Sequence, residues 1–225
     1  MQPIFFITGT DTGVGKTVLT ALWTAFLRGR GVKVAAFKPI CSGGRADALA
    51  LHAALDDTLT LAQVNPWHFR APLAPVLAAR REKKTVKLAQ VCAHIRTQSS
   101  GFELVLVEGA GGLLSPLGED FDSRDLLLAL RACVIIVAPN QLGVVNHVRL
   151  TLAALPEKLR DQAGVVLMSP AKPDAATAGN LKLLEEFVLP EKILTLPWLG
   201  KNHSTNQALQ KPPVKRVLQK LSPFK

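Results

Sequence analysis

A glycine-rich segment near the amino terminus constrains the fold of this chain more than any other feature. Residues 9–17 read Gly-Thr-Asp-Thr-Gly-Val-Gly-Lys-Thr, after the apolar run Ile4–Ile7 and before a helix-compatible stretch, Val18–Arg30. A strand, a glycine-rich turn, Gly-Lys-Thr and a helix form the layout of a phosphate-binding loop. The N–H groups of such a loop and the helix dipole hold polyphosphate. We therefore expect Lys16 to reach the outer phosphates and Thr17 to hold Mg²⁺.

The spacing of this loop departs from the common pattern. Five residues separate Gly9 from Gly15 where the usual motif has four, so Thr10 occupies the usual position of the first glycine. A glycine-rich turn that only caps a helix is the alternative interpretation. The position of Gly-Lys-Thr between a strand and a helix favours phosphate binding.

Length and composition indicate one α/β domain spanning residues 1–225. The 48% hydrophobic and 20% charged residues are typical of a globular protein, and no apolar run approaches the length of a membrane span. The amino terminus lacks the basic flank of a signal peptide, so we expect a cytoplasmic protein. Cys41, Cys92 and Cys133 include no Cys-x-x-Cys pair, which indicates buried or inert thiols rather than disulfides or a zinc site.

The net charge of +10 is concentrated in two segments, residues 70–96 and 201–225. A polyanion-binding surface is one interpretation. We favour a solvated basic surface, because no nucleic-acid-binding motif accompanies the charge, and we expect neither a nucleic-acid nor a membrane partner. Pro212 and Pro213 are expected to interrupt any helix in the tail.

Apolar, β-branched runs alternate along the chain with segments of helical periodicity. The runs are Ile4–Thr8, Val32–Phe37, Leu104–Val107, Val134–Ala138, Gly164–Met168 and Ile193–Leu196. The helical segments include Leu22–Arg30, Val86–Arg96, Ser123–Leu130, Val144–Leu155 and Asn180–Val188, while Pro66–Pro75 and Pro170–Pro173 are predicted loops. This alternation predicts a single-domain parallel sheet covered by helices on both faces, like that of P-loop NTPases.

Ligands of such sheets bind at the carboxyl ends of the strands, and the residues there are polar. Glu108 ends an apolar strand, and the glycines of Gly109–Gly112 permit close backbone approach to a ligand, so Glu108 is a metal-site candidate. Lys38 directly follows a strand and is expected in the cleft, with a solvent-exposed lysine as the alternative. Asp47 is a second candidate carboxylate for Mg²⁺, with helix capping as the alternative.

Several segments together resemble the dethiobiotin synthetase family. They run in the family's order across most of the chain: residues 9–17, Lys38-Pro39 with Ser42-Gly43, 47–51, Asn65-Pro66, 107–112, Leu142-Gly143 with Asn146-His147, and 197–199. The combination of Glu-Gly-Ala-Gly-Gly with Thr-Asp-Thr and Lys-Pro makes the resemblance specific, whereas the phosphate-binding loop alone would not.

The resemblance implies ATP-dependent ring closure of 7,8-diaminopelargonate with CO₂ to dethiobiotin, through a carbamate and its phosphorylated form. Lys16, Lys38 and Thr12 would be catalytic, and Thr17, Asp47 and Glu108 would hold Mg²⁺. Ser42 would bind substrate, and Leu142, Gly143 and Asn146 would meet the substrate carboxylate across a homodimer interface. The implied nucleotide-binding residues are Gly13, Val14, Gly15, Lys16, Thr17, Val18, Asp47, Glu108, Gly109, Ala110, Gly111, Pro197, Trp198 and Leu199.

Three features depart from that family's pattern. The segment between Lys38-Pro39 and Asp47 is short, and Gly13 replaces an acidic residue of some relatives. Met168 stands where many relatives have an asparagine that reads adenine, and a thioether lacks the paired donor and acceptor of an amide. ATP is the expected nucleotide, and weak discrimination between bases is a hypothesis that Met168 raises.

Three other P-loop classes are alternatives. Deviant switch ATPases carry a signature lysine where this chain has Asp11, and an amphipathic membrane-binding helix is not expected in the basic tail. Corrin-amidating synthetases carry a glutamine-hydrolysing domain for which this chain is expected to be too short. Iron–sulfur reductase components need a cysteine arrangement that the three cysteines do not provide.

Overall fold

Six parallel strands form the central sheet of the computed structural model, which describes residues 2–201 and 203–223. The strands of the protein are β1 (Ile4–Gly9), β2 (Val34–Phe37), β3 (Ile40–Ser42), β4 (Trp67–Phe69), β5 (Leu104–Gly112), β6 (Cys133–Pro139), β7 (Gly164–Met168) and β8 (Ile193–Leu196). The central sheet has the order β2-β5-β1-β6-β7-β8, and β3 and β4 form a second, two-stranded parallel sheet.

Helices connect these strands. They are α1 (Lys16–Arg28), α2 (Ala46–Leu55), α3 (Leu61–Val64), α4 (Pro75–Arg81), α5 (Leu88–Gln98), α6 (Ser123–Leu130), α7 (Val144–Ala153), α8 (Glu157–Gln162), α9 (Ala175–Leu184), α10 (Thr205–Leu209) and α11 (Pro212–Leu221), with a 3₁₀ turn at Pro190–Lys192. The side chains of Thr60, Asp122, Asp174 and Ser204 cap α3, α6, α9 and α10. Each accepts a hydrogen bond from a backbone N–H that would otherwise lack a partner.

The direction of the crossovers distributes the helices over the sheet. The connection from β1 to β2 moves one way along the strand order, and the connection from β5 to β6 moves the other way. Because parallel crossovers are right-handed, α1 and α6 lie on opposite faces. The predicted parallel sheet with helices on both faces is confirmed.

The core follows from strands that are apolar along their length. Val105, Leu106 and Val107 of β5 are fully buried, as expected for a strand covered on both faces. Trp23 of α1 is also fully buried, and its ring packs edge-on against Phe5 of β1. Within residues 2–201 and 203–223, no helix is both long and apolar enough to cross a membrane.

The six long strands were predicted within two residues at their starts, but several shorter elements were not. Residues 66–75, predicted as a loop, contain β4 and the first residue of α4. The helix predicted over Asn180–Val188 lies earlier, at Ala175–Leu184, because the Asp174 side chain starts it. Among the thiols, Cys41 and Cys92 are buried and Cys133 is exposed.

The prediction for the carboxyl-terminal tail was wrong. Pro212 and Pro213 begin α11 rather than interrupt a helix. A proline at the first helical position lacks only an N–H that would have had no partner, and its φ suits the helix. The tail therefore contains an amphipathic helix, and its apolar side, Val214, Val217 and Leu218, is buried.

Candidate active site

The glycine-rich loop joins β1 to α1 through two left-handed backbone positions, Gly13 with φ of 73° and Gly15 with φ of 102°. Gly15 directly precedes the helix, so Lys16 is its first residue. The Lys16 Nζ atom donates to the Asp11 carbonyl, 2.8 Å away. A Cβ atom on Gly9 would lie 2.6 Å from Val14 Cγ2 and 3.1 Å from Lys16 Nζ, so Gly9 leaves space for the closed loop.

The register of the sheet brings Glu108 to this loop. Ile7 of β1 pairs with Glu108 of β5, and the strand continues to Gly112, so Glu108 lies inside β5 rather than at its predicted end. Its Oε1 accepts hydrogen bonds from Thr17 Oγ1 at 2.8 Å and from Lys38 Nζ at 2.6 Å. Within the part of the chain that the structure describes, the buried Oε2 has no partner. A water molecule, a metal ion or another ligand would satisfy a buried carboxylate oxygen of this kind.

Lys38 directly follows β2 and is only 3% exposed, so the alternative of a solvent-exposed lysine was wrong. Its ammonium contacts Glu108 Oε1, Asp47 Oδ2 at 3.0 Å and the Gly109 carbonyl at 3.0 Å. These three acceptors match the three N–H donors of an ammonium group. Burial disfavours the charge, but the two carboxylates outweigh it and raise the pKa of Lys38 above its ordinary value.

Asp47 lies in the first turn of α2, and Arg45 occupies the N-cap position, so the capping alternative for Asp47 was wrong. Burial opposes ionisation of the Asp47 carboxyl, but the Lys38 ammonium and the Thr17 hydroxyl hold its pKa below the ordinary value. Asp47 is therefore an ionised carboxylate beside the loop.

Lys16 has a different electrostatic environment from Lys38. Burial, and then repulsion from Lys38, lower the pKa of Lys16 to about 8. The negative charges of Glu108, Asp47 and Asp11 act in the other direction but do not compensate. An anion in the cleft would supply the missing counter-charge for Lys16.

Thr17, Asp47 and Glu108 fit a Mg²⁺ ion by the chemistry of their donors. One hydroxyl and two carboxylates are oxygen ligands, and Mg²⁺ takes few protein ligands because it keeps waters and phosphate oxygens. The unpaired Glu108 Oε2 atom supports this assignment. Across residues 2–201 and 203–223, no group of three or more His, Cys, Asp or Glu residues could hold a metal by itself.

A cleft of about 830 Å³ opens in front of this cluster. Predicted site residues that line it are Thr12, Gly13, Gly15, Lys16, Thr17, Val18, Lys38, Ser42, Asp47, Ala110 and Gly111. Glu108 and Gly109 stand behind Lys38 and contact it, and Val14 is buried against the loop. The structure thus brings together residues from β1, β2, β5 and their following loops.

Other lining residues were not predicted from the sequence. They are Cys41, Gly44, Ala46, Pro72, Leu73, Ala74, Pro75, Ser115 and Pro116. The Leu73 carbonyl accepts a hydrogen bond from Ser42 Oγ at 2.6 Å, which holds the loop after β4 over the cleft. Ser115 Oγ accepts a hydrogen bond from the Gly112 N–H at 2.8 Å. The proline pair around Leu73 and the Ser-Pro after the glycines are the signals that could have identified these loops.

Two predicted groups lie outside the lining formed by the described residues. Leu142 is 83% exposed, and Gly143, with φ of 90°, precedes α7, which carries the exposed Asn146. Pro197, Trp198 and Leu199 follow β8, which pairs with β7. Both groups follow the carboxyl ends of strands in the parallel sheet, as the glycine-rich loop does.

Met168, at the end of β7, reaches the glycine-rich loop. A Cβ atom on Gly15 would lie 2.8 Å from the Met168 Cε atom. The thioether side chain therefore packs against the start of α1, and it presents no amide to a base.

Known proteins are similar to this chain in sequence over most of its length. The family described as AAA domain matches residues 4–205. The ATP-dependent dethiobiotin synthetase BioD of Anaeromyxobacter sp. (strain Fw109-5) is 46% identical over 154 residues, which cover 67% of this chain and 69% of the relative. The protein of the same name from Anaeromyxobacter dehalogenans (strain 2CP-1 / ATCC BAA-258) is 38% identical over 198 residues, or 86% and 89% of the two chains.

The chain belongs to the ATP-dependent dethiobiotin synthetase family. The resemblance inferred from the sequence motifs is confirmed. Membership in the dethiobiotin synthetase family does not favour the switch-ATPase or corrin-amidating alternatives.

Solved structures more distant than the dethiobiotin synthetase relatives share the fold. A ParA family ATPase from Chlorobium tepidum TLS has a TM-score of 0.56 at 14% identity and covers 100% of this chain and 93% of its own. The hydrogenase maturation factor HypB from Archaeoglobus fulgidus has a TM-score of 0.53 at 15% identity, with 98% and 88% coverage. At these identities the likeness shows the P-loop NTPase fold alone.

Proposed function

We propose that this chain closes the ureido ring of dethiobiotin from 7,8-diaminopelargonate and CO₂ with consumption of ATP. One observation carries the proposal: Glu108 Oε1 joins Thr17 of the glycine-rich loop to the Lys38 ammonium, so a second buried lysine stands beside the expected position of the triphosphate. A carbamate substrate that accepts a phosphoryl group has two negative centres to be stabilised.

The reaction proceeds in three steps. One amine of the diamine adds to CO₂ and forms a carbamate with release of a proton. A carbamate oxygen attacks the γ-phosphorus of ATP, which gives the phosphorylated carbamate and ADP. The second amine attacks the activated carbonyl carbon, and phosphate and the amine's proton leave as the ring closes. Each step moves negative charge near the two lysines, where a buried positive charge is most effective.

The residues of the cleft have separate roles in these steps. Lys16 binds the outer phosphates, and Lys38 stabilises the carbamate and the transferring phosphoryl group. The half-exposed Asp47 carboxylate is the Lys38 partner that a substrate oxygen can replace, because Glu108 is fully enclosed. Thr12 and Ser42 contact the substrate side of the cleft. This assignment agrees with the exposure of each side chain.

Thr17, Asp47 and Glu108 would hold Mg²⁺ with the nucleotide. When bound, the ion neutralises phosphate charge and orients the triphosphate. The protein contributes a hydroxyl on the first turn of α1, a carboxylate on α2 and a carboxylate within β5.

We further infer a homodimer in which Leu142, Gly143 and Asn146 of one subunit receive the substrate carboxylate of the other. The N-terminus of α7, directly after Gly143, suits an anion through its helix dipole. The high exposure of Leu142 favours an interface at this point. The same proposal places the protein in the cytoplasm, and it leaves nucleic acid and membranes without a role.

Nucleotide binding by Gly13–Val18 and by Pro197, Trp198 and Leu199 belongs to the same proposal. Met168 beside Gly15 supports weak discrimination between bases. Turnover with ATP, CTP and GTP measures it: values within about tenfold of one another support weak discrimination, and a larger preference for ATP contradicts it.

The central experiment incubates purified protein with 7,8-diaminopelargonate, bicarbonate, Mg²⁺ and ATP. We expect phosphate release that depends on the diamine, together with dethiobiotin detected by mass spectrometry. Lys16→Ala should lower the rate at least about 100-fold, because it removes a charge aimed at the transferred group. Absence of diamine-dependent phosphate release with every nucleotide would contradict the proposed function.

A further inference from the structure

Asn65 is a buried amide that holds the backbone of the Lys38 segment. It follows α3 directly and is 1% exposed. Its Nδ2 donates to the Lys38 carbonyl at 2.7 Å and lies 3.4 Å from the Pro39 carbonyl. The amide therefore fixes the chain at the point where it leaves β2 and where the lysine side chain departs.

Arg45 completes the hydrogen bonding of this amide. Its Nε donates to Asn65 Oδ1 at 3.0 Å, and its Nη2 donates to the Asn65 carbonyl at 3.0 Å. Because a guanidinium can only donate, it requires the amide oxygen on its side and so directs the Nδ2 group towards Lys38. Arg45 orients Asn65 and is half-buried itself.

The same arginine precedes α2 and stands two residues before Asp47. The contacts therefore form a closed ring: the Lys38 carbonyl, Asn65, Arg45, the first turn of α2, Asp47 and back to the Lys38 ammonium. The same hydrogen bonds thus hold the backbone of Lys38 and the start of α2, the helix that carries the Asp47 counter-charge. Neither Arg45 nor Asn65 is among the described residues that line the cleft.

We propose that Arg45 and Asn65 act as one unit that positions the Lys38 ammonium for the transfer step. This inference rests on the proposed function for the step that it serves. Displacement of a catalytic group by about 1 Å costs as much as 100-fold in rate, so loss of the unit should appear in kcat. Asp47 is also a proposed Mg²⁺ ligand, so the KM for ATP should rise as well, but by a smaller factor than kcat falls, because the glycine-rich loop has its own supports.

The first test compares single variants. We expect Asn65→Ala to lower kcat about 100-fold and Arg45→Ala at least about tenfold, with a smaller change in the KM for ATP than in kcat. Asn65→Asp should also lower kcat, because it retains an acceptor for Arg45 but loses the donor to Lys38. Arg45→Lys keeps one donor and the charge and should recover part of the loss.

Arg28→Ala is the matched control. Arg28 also binds α2 through its guanidinium, but at the far end of the helix, where Nη1 donates to the Ala54 carbonyl at 3.1 Å. This variant loses a comparable contact with α2 and should retain the kcat of wild type. If Arg45→Ala also retains the wild-type kcat, or if it raises the KM for ATP without lowering kcat, the proposal is overturned.

A double-variant cycle tests whether the two residues act as one unit. If they do, Arg45→Ala combined with Asn65→Ala should lie within about threefold of Asn65→Ala alone in kcat. Effects that multiply would show independent structural roles and would overturn the proposal. If Asn65→Ala does not fold, as judged by its thermal transition, the cycle is run with Asn65→Asp.

A chemical readout separates this inference from the proposed function. In the wild-type protein the Lys38 amine should resist a small acylating reagent, since it is 3% exposed and fully paired. In Asn65→Ala the labelling of Lys38, followed by peptide mass spectrometry, should quicken at least about fivefold because the segment is released. Arg28→Ala should label like wild type. Unchanged labelling in Asn65→Ala overturns the inference, whether or not the protein consumes the diamine.

Discussion

Lys16 and Lys38 share the cleft, and their surroundings shift their pKa values in opposite directions. Lys38 is held between Glu108 and Asp47, which raise its pKa, whereas burial and the neighbouring Lys38 charge lower the pKa of Lys16 to about 8. Lys38 is a permanent cation in the free protein. Lys16 is mostly protonated at pH 7, and above pH 8 its charge depends on a bound anion.

This difference predicts how nucleotide binding depends on pH. The lowered pKa means that Lys16 loses its proton as the pH rises through about 8. Binding of ATP restores the proton, so the dissociation constant should rise by up to about tenfold per pH unit above pH 8. Titration calorimetry at pH 8.5 in buffers of different ionisation enthalpy should detect proton uptake. A pH-independent affinity between pH 7 and pH 9.5, or a dependence that persists in Lys16→Met, would contradict the prediction.

A second residue-scale prediction concerns the buried pair of Glu108 and Lys38. Glu108→Gln keeps an acceptor for Thr17 but leaves the Lys38 ammonium with only the half-exposed Asp47 as counter-charge. The free energy of unfolding should fall by about 3 kcal/mol, because a buried charge loses its partner. Urea denaturation at pH 7 measures this change.

The control for this prediction removes both charges. Lys38→Met added to Glu108→Gln should recover most of the lost stability, since no unpaired ammonium remains. If the double variant is less stable than Glu108→Gln, the loss comes from packing rather than from charge.

At the scale of elements, α11 shows how a basic segment contributes to the fold. Its apolar face packs on α1, and the Trp23 indole N–H donates to Ser222 Oγ at 3.0 Å. Lys215 and Arg216 on the other face are exposed. This arrangement accounts for the basic charge as the solvated side of an amphipathic helix.

The packing of α11 predicts its contribution to stability. Leu218 is fully buried, so Leu218→Ala should lower the free energy of unfolding by about 2–5 kcal/mol through lost burial and a residual cavity. Chemical denaturation measures the loss. Lys215→Ala on the exposed face should change stability by less than about 0.5 kcal/mol. Equal effects of the two variants would show that the helix is not docked on α1.

At the scale of the whole molecule, the register of the strands brings the site residues together. Exposed leucines around α7 indicate where a second subunit would bind. Leu142 is 83% exposed and Leu150 is 62% exposed. Leu150 lies four residues after Asn146 on α7, so the two share a helix face. The two exposed leucines flank the residue proposed to receive the substrate carboxylate of a second subunit.

This surface predicts a coupling between assembly and substrate binding. Leu142→Glu with Leu150→Glu should convert the proposed homodimer to a monomer in sedimentation experiments, because two charges from each subunit would be buried at the interface. The KM for the diamine should rise at least about tenfold, with the KM for ATP nearly unchanged. Leu189→Glu, at another leucine that is 58% exposed, should remain dimeric. A fully active monomer would exclude a shared site.

Local patterns determined much of this protein. The six apolar runs predicted the central sheet, because strands buried on both faces are apolar throughout. The glycine-rich loop, Lys38 and Glu108 were predicted from their positions at the carboxyl ends of strands, where a parallel sheet gathers its ligands. Asp47 was predicted from its place at the start of a short helical stretch just beyond Lys38 and Ser42. The family was also recognisable, since its motifs are short and contiguous.

Features that depend on contacts between distant residues could not be predicted from local patterns. Strands of three residues, β3 and β4, have too few residues for a periodic signal, so their pairing was not predicted, nor was the position of the following loop over the cleft. Pro212 was interpreted as a helix breaker because the sequence does not show that α1 offers an apolar surface on which a helix could begin there. The ring from Lys38 through Asn65 and Arg45 to Asp47 joins residues whose separation in the chain conceals their contact. The apolar runs and the short motifs were therefore enough to predict the sheet, the family and the polar groups of the cleft. How those groups are charged and held could not be predicted, because burial and pairing depend on neighbours that only the folded chain supplies.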